Sequence, residues 1–251
     1  MKSLPPIQIG KIGKMGIYQQ HFSVTAMSPT LWLDAADELS IEHNEGNVFR
    51  WKDKSGNGKH FTQAEGSRQL LTNSQTINGW NVLTADGIND RLLGEHIDGL
   101  YDGLTAFIIT RSKCSEKASG FGFVLAVNGA GWLSPAENAP ALNFTSNPNW
   151  QVGSTAYTDA GAGEVPTLFS CTSNGSNVSY YRNGLHVNSQ TMSTPAEEGI
   201  TASYVGGTGG DNFYKGDIAE IIVFDRVLST LQSNRLGRYL SNKWEITWIN
   251  T

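Results

Sequence analysis

The chain is 251 residues long, carries a formal net charge of −5, and has only 16% charged residues against 28 glycines. Few charges and many glycines exclude a helical bundle and point to short strands joined by tight turns. The acidic surplus removes the phosphate attraction that nucleic-acid binders rely on, and no stretch is long and apolar enough to span a membrane.

The N-terminal MKSLPPIQIGKIGKMG is interrupted by Pro5, Pro6, Lys11 and Lys14, so it has no apolar core of the secretory kind. Synthesis and folding in a cytoplasm is the expectation, with Cys114 and Cys171 as buried reduced thiols rather than a disulfide. Asn143, Asn174 and Asn177 open glycosylation sequons that then read as polar turns. Residues 1–27 hold Ile7, Ile9, Ile12, Ile17 and Phe22 among glycines, with no acid. Such an arm cannot bury its isoleucines against itself, so it adds a strand to its own sandwich or docks on another subunit; the alternative is a disordered or expression-scarred terminus, against which the isoleucine content argues. Residues 28–251 read as one domain.

Leu31, Trp32 and Leu33 open the domain as a strand, and residues 34–47 read as a connection with Asp37, Glu38, Glu42 and Glu45 on its surface. Next comes NVFRWKDKSGNGKHF, residues 47–61. Period-2 alternation puts Phe49 and Trp51 on one face and Val48 and Arg50 on the other, before Asp53, Ser55, Gly56, Asn57 and Gly58 force an ordered loop. His60 reads as a packed ladder residue. Residues 67–78 read as polar linker, 80–85 as strand, and Asp86 to Asp90 as an Asx/Gly turn. Residues 104–110, LTAFIIT, are continuous in β-formers and predict a central strand covered on both faces, as do 121–127. Residues 166–172 and 202–205 read as further strands. In VSYYRNGLHVN, residues 178–188, Asn183-Gly184 signals a two-residue hairpin turn. Residues 217–224 form the last long strand, with Ile218, Glu220, Ile222 and Phe224 assigned to one face and Ala219, Ile221 and Val223 to the other. Ser229 to Gln232 is a capping box, followed by Leu236, Tyr239, Leu240 and Trp244 at helical spacing.

From residue 128 to 164 the pattern of strands fails. This stretch is rich in Gly, Asn, Ser and Pro with scattered aromatics, and long loops of that kind are usually functional. Sugar binding needs an aromatic face beside groups that fix hydroxyls. Trp132 with Glu137 and Asn138, Trp150 with Asn149 and Gln151, and Tyr157 with Asp159 meet that need by composition; alternatively each aromatic clamps its own loop. Asp53, Ser55 and Asn57 place oxygens at alternate positions before a glycine, as calcium loops do, although Ala64 stands where an EF-hand has its glutamate. An ion-free Asx turn, in which Asp53 accepts backbone N–H bonds, is the preferred reading of the same residues, and the Asp86, Asn89, Asp90 turn carries the same pair of readings in the same order. A retaining glycosidase needs carboxyls about 5 Å apart on one face. Asp217 and Glu220, three residues apart, should lie on opposite faces. No Gly-x-Ser-x-Gly is present.

LWLDAAD (residues 31–37), RWKDKSGNGKHFTQ (50–63), ADGINDRL (85–92) and GDIAEIIVFDRVLS (216–229), with the helix ending in Trp244, frame most of the chain. Together they resemble the laminin-G-like, concanavalin A-like lectin/glucanase superfamily, in the single-module form of bacterial surface and bacteriophage virion proteins. The family's Glu-x-Asp catalytic pattern is absent. The resemblance implies an all-β jelly-roll sandwich with one C-terminal helix and an extended N-terminal arm. It implies a non-enzymatic virion structural or decoration protein that touches other virion subunits through residues 1–27 and contacts host cell-surface polysaccharide. A homo-oligomer or symmetric assembly follows, with no cofactor unless calcium is bound. A secreted or surface adhesin is the alternative, and a glycan hydrolase the third.

Overall fold

A computed structural model describes residues 22–95, 97, 103–113, 165–174, 177–191, 202–207 and 213–250, together with the backbone of short strands between residues 125 and 151. Two antiparallel sheets face each other. The seven-stranded sheet runs in the order Leu31–Asp34, Lys215–Phe224, Leu104–Ser112, Thr167–Ser173, Asn177–Arg182, Leu185–Thr191, with Leu83–Asp86 also paired to Lys215–Phe224. The nine-stranded sheet includes Leu125–Val127, Ala202–Val205, Leu92–Glu95, Phe61–Thr62, Asn47–Trp51 and Ile41–Asn44 in that order. Between them lies a core of Leu31, Leu33, Val48, Trp51, Phe61, Leu92, Ile108, Phe169, Val205 and Ile221.

The seven-stranded sheet is buried on its other side as well. The helix Thr230–Trp244 lays Leu236, Leu240 and Trp244 on Phe107, Ile109, Ile222 and Phe224, forming a second core. This accounts for residues 104–110, every one of which is buried. The helix starts where the capping box was read: the Ser229 hydroxyl accepts from Gln232 N at 3.3 Å, and Gln232 Oε1 accepts from Ser229 N at 3.0 Å. Phe22 and Val24 join this layer, with the Phe22 and Tyr239 rings 5.0 Å apart, so the packed module reaches back to residue 22.

Three strand faces differ from simple alternation, and each has a register shift as its cause. Opposite Glu42 and His43, the strand Asn47–Trp51 carries Phe49 as an extra residue, so Val48 and Trp51 both point inward and Phe49 is 41% exposed. Another shift between Ile218 and Glu220 puts Ile218 in the core between the sheets and leaves Ala219, Ile222 and Phe224 against the helix. A third lies between Tyr180 and Tyr181 of the hairpin. The expected connection after Asp34 contains the strand Ile41–Asn44, hairpinned to Asn47–Trp51. The expected linker contributes buried Leu70 and Ile77. Cys171 is a free thiol buried in the core, and burial pushes it up to about 12, which leaves it unreactive; Cys114 lies outside the described residues.

Candidate functional site

The motifs at residues 31–37, 50–63 and 216–229 converge on a buried ionic network. Lys243 Nζ, from the helix, sits 2.6 Å from Asp34 Oδ1 and 2.8 Å from Glu220 Oε2. Glu220 also accepts from Trp32 Nε1 at 2.8 Å and Trp244 Nε1 at 2.7 Å, so its two oxygens are occupied. Lys54 bridges Asp34 and Asp37 at 2.8 Å each and stacks over the Trp32 ring. Burial, reinforced by the neighbouring Asp34 carboxylate, raises the Glu220 pKa, and Lys243 pulls part of that back. Lys243 is raised despite its burial, because Glu220 and Asp34 favour its charge. With Asp34 only 4% and Glu220 only 1% exposed, this network ties the helix to the sheet and offers no substrate a proton.

The second carboxylate of that strand is engaged elsewhere. Asp217 accepts from Arg111 at 2.8 and 2.6 Å, from Lys113 at 2.8 Å and from Thr84 at 2.8 Å, and it is fully buried. The expectation that Asp217 and Glu220 occupy opposite faces is corrected by the register shift between Ile218 and Glu220. Asp217 is bonded to Arg111 and Thr84, which alternate with the inward Thr110 partner and the core residues Leu83 and Ala85, and so shares the helix-side face with Glu220. Each carboxylate is neutralised by its own cations.

The Asp53 loop closes as an Asx turn. Asp53 Oδ1 accepts from Ser55 N at 2.8 Å and Trp32 N at 3.0 Å, while Oδ2 accepts from the Ser55 hydroxyl at 2.6 Å and Lys59 N at 3.0 Å. Asn57 donates to the carbonyls of Pro29 and Thr30. His60 lies outside the strands and caps the loop, its Nδ1 accepting from Asp53 N at 3.0 Å. Three predicted ligand residues are thus brought together, with the Asp53 oxygens already holding four donors. At the second turn, Asp86 Oδ1 accepts from Ile88 N and Asn89 N, and Asp90 Oδ2 from Asp86 N. Among the described residues, no group of three His, Cys, Asp or Glu is placed to hold a metal ion.

A cleft of about 430 Å³ opens where the helix stops covering the seven-stranded sheet. Its floor is set by strand register: Phe107 pairs with Ser170, Ser170 with Tyr181, and Tyr181 with His186, so four side chains cross four strands in one row. Thr105 and Thr172 begin the next row. One wall is the start of the helix, with Leu228, Thr230 and Ser233; the other is Trp248. Trp248 is held by the C-terminal segment. Its ring packs where a Cβ on Gly237 would come within 2.3 Å, its Nε1 donates to Asn234 at 3.1 Å, and the next residue, Ile249, donates its N–H to Asn183 O at 2.7 Å. The segment therefore straps helix to hairpin. Thr105 spends its hydroxyl on Arg226 O and Leu228 N. Among the described residues, the hydroxyls of Ser170, Thr172 and Tyr181 make no hydrogen bond, although Ser170 is only 6% exposed.

These cleft residues were not singled out from sequence. The available signal was the hairpin: a two-residue turn at Asn183-Gly184 sets Tyr181 opposite His186, their rings 5.4 Å apart edge to face. Of the aromatic loop candidates, Trp132, Asn138, Tyr157 and Asp159 lie outside the described residues. Trp150 is placed by its backbone alone, in the strand Trp150–Gln151 paired with Thr145–Ser146.

No family model and no curated protein matches the chain. Among solved structures, the binding domain of Paraclostridial Mosquitocidal Protein 1 is similar at a TM-score of 0.65 and 11% identity, over 87% of this chain and 53% of that one. The ligand-binding domain of botulinum neurotoxin serotype D, solved with N-acetylneuraminic acid, gives 0.60 and 16%, over 86% and 53%. A Trypanosoma rangeli sialidase gives 0.56 and 13%, over 86% and 33%. At such identities the likeness establishes a shared fold, and the chain spans about half the length of the toxin domains.

Proposed function

We propose that this chain is a non-enzymatic, lectin-like recognition module of the laminin-G-like kind, carried on a bacteriophage particle, that binds a host-surface glycan. The observation that carries the reading is the row Phe107, Ser170, Tyr181, His186: an aromatic and hydroxyl floor in a cleft, with unspent hydroxyls. That is what a sugar ring requires, apolar area for its C–H face and donor-acceptor groups for its edge. The likeness to a toxin domain solved with a sialic acid supports the same class. The two carboxylates of the strand Lys215–Phe224 support binding without hydrolysis, since both are buried and paired with cations. Residues 1–27 would anchor the module to neighbouring virion subunits in a symmetric assembly. A secreted adhesin would use the same cleft without that anchor.

A glycan array probed with the full chain tests the reading, and sugar release from a polymer would revive the hydrolase. Two surfaces compete for the contact. If Trp132, Trp150 and Tyr157 form the platform, their Ala variants should weaken glycan binding about tenfold each with folding unchanged. If they pin their loops, a Trp→Ala change should cost about 3–5 kcal/mol of stability and leave binding intact. Because the Asp53 oxygens are taken by protein donors, added calcium or a chelator should change neither melting nor binding.

A further inference from the structure

We infer that the cleft beside Trp248 takes a neutral saccharide of mono- to disaccharide size and discriminates against acidic sugars; this rests on the recognition reading above and names its ligand. Size comes first: about 430 Å³ lies at the small end of ligand pockets, which run from about 300 to 1,000 Å³.

Charge comes second. Among the described residues that line the cleft, none is Lys, Arg, Asp or Glu. A carboxylate set down there would lose water without gaining a cation from these residues. The nearby cation is committed elsewhere: Arg226, next to Val227 on the rim, turns its guanidinium to the carbonyls of Met27 and Ser28. It lines a separate, more open cleft with Lys59 and Asp225. Of these two depressions among the described residues, one carries charged side chains and the other, which holds Phe107, Tyr181 and Trp248, carries none.

Polar chemistry comes third. Ser170 is more than nine-tenths buried at the floor, and its hydroxyl makes no hydrogen bond among the described residues. That hydroxyl is not among the fully enclosed polar atoms without a partner, so it opens on the cleft, where a ligand hydroxyl can take the place of water. Thr172 and Tyr181 add two more hydroxyls that both donate and accept. Sugar hydroxyls have that same dual character, whereas a carboxylate only accepts. The Tyr181 and His186 rings meet edge to face, and Trp248 also lines the cleft, so a ring entering it meets aromatic surface as well as hydroxyls.

The test titrates the full chain with glucose, galactose, N-acetylglucosamine, cellobiose and lactose, and in parallel with glucuronic acid and N-acetylneuraminic acid, by calorimetry or NMR. At least one neutral sugar should bind, with an affinity that stays within about twofold between about 50 and about 500 mM salt, since no charge pair is there to be screened. Tyr181→Ala and Ser170→Ala should each weaken it about tenfold or more, with melting curves confirming that both variants fold. Neutral binding unmoved by either substitution would place the sugar on another surface and overturn this inference while leaving the lectin reading. Preference for an acidic sugar, with salt-sensitive affinity, would overturn the ligand class alone. Binding of none of these sugars would overturn the inference, and a blank glycan array besides would remove the recognition reading itself.

Discussion

Gly184 shows how a single position serves both turn and strap. Asn183 and Gly184 take φ of 50° and 84°, the primed turn that two-residue hairpins favour. A Cβ at Gly184 would also lie 1.8 Å from the Ile249 carbonyl oxygen. Gly184→Val should therefore lose about 1–3 kcal/mol from backbone strain and also lift Trp248 off the helix, which denaturation monitored by tryptophan emission would register. Unchanged emission would mean that the strap tolerates the side chain. Asp90 is a second diagnostic position. Burial pushes its carboxyl up to about 6, against the hydrogen bond from the Asp86 N–H and with a smaller push from the Asp86 carboxylate. An unfolded Asp titrates near about 3.9, so the folded state holds the proton more tightly, and Asp90 weighs against folding increasingly as pH climbs through about 6. Asp90→Asn should raise stability by about 1–3 kcal/mol at pH 8 and by almost nothing at pH 4; equal gains at both would refute a protonation effect.

At the scale of elements, the ionic network is what orients the helix. Lys243→Met would leave Asp34 and Glu220 buried with one cation fewer, and the expected loss is about 3–5 kcal/mol in urea denaturation. Adding Glu220→Gln should recover part of it, because the neutral amide no longer needs a counter-charge; a strictly additive double variant would show the pair to be uncoupled. Elements were legible in the sequence wherever a local rule decided them: the capping box, the Asn183-Gly184 turn, the Asp53 loop, the continuous β-run at residues 104–110. Faces were misread wherever an extra residue broke the alternation, at Phe49 and at Ala219, because bulges are set by the partner strand and leave no period of their own. The cleft was illegible for a related reason. Phe107, Ser170, Tyr181 and His186 are far apart in sequence, and only the register of four strands aligns them.

For the whole molecule, the boundary of the packed module is open to a truncation series. Val24 is 2% exposed and Phe22 rests on Tyr239, so removing residues 1–21 should leave melting unchanged while removing 1–27 should cost about 1–3 kcal/mol. If residues 1–21 serve assembly, the shorter deletion should stay folded yet fail to join a particle; equal melting of both deletions would show that Phe22 and Val24 contribute nothing. The strand Lys215–Phe224, late in the chain, lies between Leu31–Asp34 and Leu104–Ser112, pairing Leu31 with Val223 and Ala106 with the same residue. A ribosome must therefore release the chain through Phe224 before the sheet can close, and until then the edges of the early strands stand open to other chains. Such long-range closure places refolding in the range of milliseconds to seconds and makes synthesis speed, chaperone supply and expression temperature the determinants of soluble yield.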